Sequence, residues 1–312
     1  MNEDSVEDLP AEQAPAVDVD LTAVADCVEK IQAVDKARKW RSPERLELGE
    51  TAWTPDAVGK NDAVLQAALA VDLPRYLKSR LRAAHAKGHT VHMAVSAVVL
   101  YSSEWLDLLV GVDAFVYVVD DFQERGRFKR RHVLAAIADL QVPVAPDHRR
   151  VLGETALRML GDGSSQDRGR RLEAILAFLF SQVSDFRVVR RNHRNKSQEI
   201  DLVLQIDAHS ERVWQNQGRP LILVEAKNHK KPIGAAVLAG LTRKIQTKRK
   251  MVKIAFLVSV SGVTGDLHIE SLRGSTEDHC VVIIGLHELH SLLTESDLDG
   301  NLERLVLDAF IA

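Results

Sequence analysis

Hydrophobic positions follow two different periods along the chain, and each period predicts a type of element. From about Leu21 to Lys39 the apolar residues recur every three or four positions, which predicts an amphipathic helix. Helical spacing returns from Asp62 to about Lys87, with an interruption at Pro74 and a stop signal at Gly88. Residues 40–60 show no clear period, so they are predicted to form a connection.

After Gly88 the pattern changes to short β-branched runs. These predict strands at His89–Tyr101 and Ala114–Val119 and helices at Ser102–Leu109 and about Val133–Leu140. Strands and helices in alternation predict a small α/β domain. The second strand ends at Asp120 and Asp121, where a metal site is one reading and an exposed strand terminus is the favoured one.

The second half of the chain alternates between helical and strand patterns. It predicts helices at Asp167–Val183, Ile233–Lys248 and Leu267–Leu272, and strands at Phe186–Arg191, Glu199–Ile206, Leu221–Lys227, Val252–Val260 and Cys280–Leu286. This order predicts a mixed sheet flanked by helices. The stretch Leu160–Arg168 is rich in glycine and serine and predicts a boundary. We therefore expect a flexible acidic tail at 1–20, a helical plus α/β domain of unknown role at 21–160, and a second domain at 161–312.

Composition narrows the class of protein. With 312 residues, of which 46% are hydrophobic, the chain can bury a sizeable core, which excludes wholesale disorder. Cys27 and Cys280 lie far apart without a CxxC pair, which argues against a disulfide scaffold or a structural zinc site. The sequence lacks an apolar run of membrane-spanning length, and its N-terminus is acidic. These features predict a soluble, cytoplasmic protein without a membrane partner.

Charge is distributed unevenly, although the net charge is only −3. Residues 1–72 carry 16 acidic and 7 basic side chains, and residues 254–312 carry 10 acidic and 2 basic. Between Arg149 and Lys253 the balance reverses, with 22 basic and 10 acidic side chains. Because each contact of lysine or arginine with a phosphate releases condensed counterions, this segment predicts a nucleic-acid partner.

Three titratable residues stand in the predicted second-half sheet. Glu225 and Lys227 end a strand whose apolar run indicates burial, where charged groups are costly unless they serve a purpose. Since strand side chains alternate, these two project to one face. Asp201 lies on the preceding strand, and the polar stretch between the strands predicts a long hairpin that brings Asp201 beside Glu225.

Two carboxylates on adjacent strands indicate a site for a divalent cation. Oxygen ligands suit Mg²⁺, with Mn²⁺ as the alternative, and a metal-bound water beside a phosphodiester is a nucleophile at neutral pH. Lys227 could orient or deprotonate that water and offset the charge that develops on the phosphate.

Asp201 followed by Glu225-Ala226-Lys227 resembles the signature of the PD-(D/E)XK nuclease superfamily, in its Mrr-type, restriction-endonuclease-like branch. The resemblance covers about residues 165–294 and includes Gly169-Arg170-Arg171-Leu172-Glu173, which is similar to the opening helix of that domain. It implies an α/β/α fold and metal-dependent hydrolysis of DNA. It also implies metal ligands at Asp201, Glu225 and the Ala226 carbonyl, with Glu173 supporting the site.

The sequence departs from the family pattern at two positions. Ile200 stands where the superfamily name has proline, and Glu225 replaces the glutamine of many Mrr-type members. For Glu173, a surface position on the helix is the competing interpretation. For Lys244 and Gln246, on the helix after the motif, a solvated face is favoured over a contact with DNA.

Basic residues around the motif are candidates for contacts with the DNA backbone, which position a duplex without reading its sequence. They are Arg190, Arg191, Arg194, Lys230, Lys231 and Lys248. Each chain would hold one active site, whereas a duplex has two strands to cut, so a homodimer is favoured.

The sequence thus predicts an α/β protein with a C-terminal restriction-endonuclease-like domain, a smaller α/β domain before it and an acidic helical N-terminus. The favoured function is a Mg²⁺-dependent DNA endonuclease of restriction, defence or DNA processing. Two alternatives stay open. One is an effector nuclease acting on DNA or RNA that a ligand switches on through residues 62–150. The other is a non-catalytic nucleic-acid-binding protein that retains the fold.

Overall fold

Two five-stranded sheets organise the chain. The structure is a computed structural model, and it describes residues 21–49, 51–120, 128–194, 199–207, 211–217, 220–248, 251–267 and 279–311. The predicted tail at 1–20 lies outside the described residues.

The first sheet has three parallel strands at its centre and an antiparallel strand on each edge. Its order is β3 (Ala57–Gly59), β4 (Ala63–Ala68), β5 (Thr90–Val95), β6 (Phe115–Val118) and β7 (Arg130–His132). A separate two-stranded ribbon, β1 (Leu46–Glu47) with β2 (Ala52–Trp53), precedes it. The central strands are buried on both faces, as parallel strands usually are.

Helices cover both faces of the first sheet. Helix α1 (Leu21–Val34) buries its apolar stripe of Cys27, Val28 and Ile31 against one face. The other face packs against α2 (Arg75–Ala86) and α4 (Val133–Asp139). Helix α3 (Ser103–Gly111) contacts both of these helices, and α5 (Pro146–Arg158) packs on α3. Side chains along β5 are divided between the two faces. Val91 and Met93 belong to the hydrophobic cluster on the face of α2 and α4, whereas Ala94 belongs to the cluster under α1.

Some predictions for the first half were wrong. The helix predicted from Asp62 begins only at Arg75, and Ala63–Ala68 is a central strand, because burial between two neighbouring strands overrides the helical spacing of its alanines. The strand predicted to reach Tyr101 ends at Val95, and Ala97–Tyr101 forms a 3-10 helix. The predicted connection at 40–60 contains three short strands.

The second sheet is mixed, as predicted. Its order is β12 (Cys280–Ile284), β11 (Val252–Ser259), β10 (Leu221–Lys227), β9 (Glu199–Ile206) and β8 (Phe186–Arg194). β10, β11 and β12 are parallel, and β8 and β9 are antiparallel to their neighbours. Helix α7 (Ala235–Thr247) packs its residues Leu238, Leu241 and Ile245 on one face. The helix predicted at Leu267–Leu272 lies mostly outside the described residues.

Helix α6 (Ser165–Ser181) packs on the opposite face of the second sheet. It begins inside the predicted boundary, where the Ser164 side chain accepts a hydrogen bond from the Asp167 backbone and Asp167 reciprocates as a capping box. Its other side contacts α4, so α6 lies between the two sheets. One hydrophobic cluster therefore runs through both halves of the chain, from Val64 in β4 to Val258 in β11.

Two further helices, α8 (Leu286–Thr294) and α9 (Leu298–Ile311), complete the chain, and α8 packs against α5. The α/β class and the mixed second sheet confirm the predicted fold class. In the part of the chain that the structure describes, no helix is long and apolar enough to cross a membrane.

Candidate active site

Asp201 and Glu225 lie side by side on neighbouring antiparallel strands. The register pairs Leu202 of β9 with Val224 of β10, so Asp201 and Glu225 are the next residues along their strands. The Asp201 Oδ2 atom accepts a hydrogen bond of 2.7 Å from the Ala226 backbone N–H. This bond fixes the carboxylate against the strand end that carries Glu225.

Strand alternation sends Glu225 and Lys227 to the face of the sheet that α7 covers. Leu223, two residues before Glu225, belongs to the hydrophobic cluster under α7, and Val224 belongs to the cluster on the α6 side. Position 225 therefore lies at the upper edge of the packed layer between β10 and α7.

Two lysines hold the Glu225 carboxylate. Lys227 Nζ lies 2.6 Å from Glu225 Oε1, and Lys244 Nζ lies 2.6 Å from Glu225 Oε2. Lys227 comes from the same strand, whereas Lys244 comes from α7, which crosses above it. Each carboxylate oxygen thus has its own ammonium partner.

Lys244 is the site residue whose role the sequence did not predict. Its predicted solvated position was wrong, because only 17% of its side chain is exposed and its ammonium contacts Glu225. Leu241 and Ile245 mark the buried stripe of α7, and position 244 lies directly beside this stripe. This position beside the stripe is the feature of the sequence that could have indicated burial of Lys244. It does not show which strand lies below the helix.

Both carboxylates are buried. Asp201 is 9% exposed and Glu225 is 7% exposed. Burial raises the pKa of the Asp201 carboxyl, and repulsion from Glu225 raises it further. The hydrogen bond from Ala226 and the charges of Lys227 and Lys244 act in the opposite direction. Two carboxylates and two ammonium groups thus lie close together, where water solvates them only in part and their charges offset one another.

The donor set fits a hard divalent cation. Two adjacent carboxylates and the Ala226 backbone carbonyl are oxygen ligands of the kind that Mg²⁺ and Mn²⁺ prefer, and such ions keep several waters. Within the described ranges, no group of three or more His, Cys, Asp and Glu side chains could hold a metal. A metal here would therefore depend on the backbone carbonyl and water as well as Asp201 and Glu225.

The predicted supporting residue Glu173 lies half-buried on α6. This helix packs against β8, β9 and β10 from the face opposite α7. The Asn228 side chain, directly after the motif, donates hydrogen bonds to the backbone carbonyls of Leu160 and Arg168, so it fixes the start of α6 to the end of β10. A role for Glu173 in the site stays a prediction.

The predicted DNA-binding residues occupy different settings. Arg190 on β8 and Lys230 and Lys231 after β10 are exposed, and Lys248 is half-buried at the end of α7. Arg191 forms an ion pair with Asp139 of α4 at 2.6 Å. The Arg194 side chain lies outside the described residues.

The alternative metal site at the end of β6 gains little from the structure. The Asp120 carboxylate accepts a hydrogen bond of 2.7 Å from the Ala97 backbone N–H, and Asp121 lies outside the described residues.

Comparison with known proteins matches part of the chain to a family. Residues 166–293 match the family model Mrr_cat, described as a restriction endonuclease. Asp201, Glu225 and Lys227 all lie within the matched residues. No curated protein matches the chain. A solved structure, protein VC1899 from Vibrio cholerae, is 14% identical over 75% of this chain and 80% of that chain. The TM-score of this match is 0.31.

Proposed function

We propose that the protein is a metal-dependent DNA endonuclease, on the premise that residues 166–293 match the family model of a restriction endonuclease. The observation that carries the proposal is the geometry at the end of β10. Two buried carboxylates and a lysine meet there within a domain of a nuclease family. Restriction, defence against foreign DNA and DNA processing are the settings that such an activity would fit.

Asp201, Glu225 and the Ala226 carbonyl would hold the cation, with Mg²⁺ as the physiological ion and Mn²⁺ as a substitute. When bound there, the ion would polarise the phosphodiester and lower the pKa of a coordinated water.

Lys227 is the residue of this chain that positions the nucleophilic water. Its ammonium group is placed by Glu225 at 2.6 Å, at the edge of the buried layer, and 24% of its side chain is exposed. From this position it orients the attacking water and offsets negative charge on the phosphate in the transition state. The Ala226 N–H holds Asp201 in place during the reaction, because their hydrogen bond is internal to the sheet.

DNA is the proposed substrate because the positive charge of the chain is concentrated in the segment that contains the site. Arg190, Lys230 and Lys231 are exposed on this domain and are the candidates for contacts with the phosphate backbone. A homodimer would place two such sites on the two strands of a duplex.

Cleavage assays test the proposal directly. Supercoiled plasmid, linear duplex and single-stranded DNA are incubated with the full chain in Mg²⁺ or Mn²⁺. The variants are Lys227→Ala, Asp201→Asn and the control Asp147→Asn, which removes an exposed carboxylate on α5. DNA binding is measured for all four proteins by fluorescence anisotropy in Ca²⁺.

We expect the wild type and Asp147→Asn to cut. Lys227→Ala and Asp201→Asn should lose at least about 100-fold in rate while their DNA binding is retained. Cutting by Asp201→Asn at the wild-type rate would exclude the proposed site. A wild type that binds DNA but cuts it with neither metal would favour the non-catalytic binding protein.

A further inference from the structure

A cleft of about 550 Å³ separates the first sheet from the beginning of α6. The first sheet contributes the starts of β5 and β6 to its wall, including Phe115, and the segment after α1 contributes Arg38. Helix α6 contributes Arg170 and Arg171 from the other side. The cleft is therefore built by both halves of the chain.

Besides Arg171, three guanidinium groups lie at or near this cleft. Arg38 and Arg170 line it, and Arg130 of β7 stacks over the Phe115 ring, with its Cζ atom 5.0 Å from the ring centroid. Among the described residues, Arg38 and Arg170 have no hydrogen-bond or ion-pair partner for their side chains. Burial lowers the pKa of Arg130, and repulsion from Arg38 and Arg170 lowers it further, although Asp35 and Tyr117 act in the opposite direction.

The acidic residues of the cleft wall are largely engaged elsewhere. The Asp113 carboxylate accepts hydrogen bonds from Nε and Nη2 of Arg171 and lies 2.8 Å from His132 Nε2, and these interactions hold its pKa well below the usual range despite burial. Asp167 is bound in the capping box of α6. Asp162, exposed at the rim, acts electrostatically on Arg171. These acids do not neutralise Arg38 and Arg170.

Like charges that repel one another across a cleft lower the stability of the folded state, and a bound anion removes that cost. Guanidinium groups bind phosphate oxygens through paired N–H donors. The positive charge and the guanidinium donors at the cleft thus indicate a phosphate-bearing ligand.

We propose that the cleft between the two halves binds a phosphate-bearing ligand through Arg38, Arg130 and Arg170. Neither Asp201 nor Glu225 lines the cleft, and none of the three arginines belongs to the predicted DNA-binding set. The phosphates can come from the backbone of a nucleic-acid strand or from a free nucleotide, and both sources use the same contacts. The inference does not depend on cleavage.

Charge-neutral variants of the full chain test the proposal. Arg38→Gln, Arg170→Gln and the double variant are compared with Arg75→Gln, which removes an exposed charge at the start of α2, away from the cleft. Each is also made with Asp201→Asn, so that DNA is not cut during binding. Far-ultraviolet circular dichroism and melting temperature establish that every variant is folded.

Two measurements separate the sources of phosphate. The first is the dependence of binding on salt for a fluorescein-labelled 25-base-pair duplex, measured by anisotropy. If the backbone occupies the cleft, the double variant should reduce the slope of log K against log salt by about 2, since each phosphate contact contributes about 0.9. The second is the rise in melting temperature with added pyrophosphate or ADP. If a free nucleotide occupies the cleft, the wild type should show this rise and the double variant should lose it.

A smaller salt slope or a lost rise in melting temperature in the double variant, but not in Arg75→Gln, supports the site. Which of the two changes identifies the source of the bound phosphate. A double variant that matches Arg75→Gln in both measurements overturns the proposal. This result is distinguishable from failure of the nuclease proposal, because cleavage by the wild type and its loss in Lys227→Ala are measured separately. A chain that never cuts DNA can still lose phosphate binding in the double variant.

Discussion

Glu225 is the residue on which the candidate site converges. Its two oxygens contact different ammonium groups, Lys227 from the strand and Lys244 from the helix above. A carboxylate that is 7% exposed is costly to bury alone, and two close cations offset that cost. Lys244 thereby links the position of α7 to the orientation of a proposed metal ligand.

Replacement of Lys244 by methionine separates charge from packing. Lys244→Met keeps most of the side-chain volume but leaves Glu225 Oε2 without its partner, so the carboxylate is less firmly oriented. We expect cleavage to slow by about 10 to 100-fold, the usual effect of losing a residue that orients a metal ligand. Mn²⁺ binding, measured by electron paramagnetic resonance, should become tighter because a competing positive charge is gone.

Lys244→Arg is the control, since it retains the charge beside Glu225 and should preserve much of the activity. Unchanged cleavage together with unchanged Mn²⁺ affinity in Lys244→Met would show that the ion pair has no part in the site.

At the scale of elements, the sequence predicted the second half better than the first. Strands β9 and β10 carry clear apolar runs, so the neighbouring positions of Asp201 and Glu225 followed from alternation and hairpin connectivity. Strand β4 reads Ala-Val-Leu-Gln-Ala-Ala, in which alanines favour a helix. Its strand conformation depends on pairing with β5, a contact from outside the segment.

The same limit explains the missed residue in the site. The apolar stripe of α7 was visible in the sequence, but which polar side chains beside the stripe reach the sheet depends on how the helix crosses β10. Lys244 on α7 and Glu225 on β10 are 19 residues apart in sequence, and their 2.6 Å contact exists only after the helix has packed.

The contact between α5 and α8 depends on a residue without a side chain. A Cβ atom at Gly153 of α5 would lie 2.9 Å from the Leu293 Cβ atom of α8, closer than such atoms normally approach. We expect Gly153→Ala to lower the free energy of unfolding by about 1 to 3 kcal/mol, because overpacking outweighs the helix propensity of alanine. Urea denaturation measures the change.

Gly240 of α7 supplies the matched control. It also lies inside a helix, but a Cβ atom there would meet nothing within 4 Å. Gly240→Ala should therefore raise the free energy of unfolding by up to about 1 kcal/mol. If both variants stabilise the protein, α5 and α8 do not pack as closely as described.

In the whole molecule, buried polar contacts join the two halves in addition to the shared core. The Arg171 guanidinium of α6 holds the Asp113 carboxylate with a shortest distance of 2.6 Å, and it also donates to the backbone carbonyl of Met159. Arg149 of α5 donates to the carbonyls of Leu293 and Glu295 at the end of α8. The contacts of Arg171 fix α6, which carries Glu173, relative to the first sheet, and those of Arg149 fix α8 to α5.

Asp113 makes part of this connection depend on pH. Because the hydrogen bonds and charges of His132 and Arg171 lower its pKa in the folded state, despite burial, the carboxylate stabilises the fold above its unfolded pKa of about 3.9. This stabilisation is lost as the pH falls below that value toward the lower folded pKa. Asp113→Asn should therefore cost about 2 to 4 kcal/mol at pH 7 and progressively less below about pH 4.

Urea titrations of Asp113→Asn and wild type from pH 7 to pH 3 check this expectation. The control Asp147→Asn, an exposed carboxylate of α5, should follow the wild type throughout. A difference between Asp113→Asn and wild type that stays constant across this range would mean that the ionised carboxylate is not what stabilises the fold.

The shared core predicts that the second half of the chain does not fold by itself. Helix α6 is apolar on two sides, with one side on the second sheet and the other against α4, and α8 is covered by α5. A fragment of residues 161–312 would expose both covered surfaces to water, at about 25 cal/mol for each Å² of apolar area. The full chain should therefore unfold in a single calorimetric transition, whereas the fragment should aggregate or bind a hydrophobic dye.

If the fragment melts cooperatively at the temperature of the full chain, the two halves are independent domains. Contacts such as Asp113 with Arg171 would then not stabilise the fold of the second half.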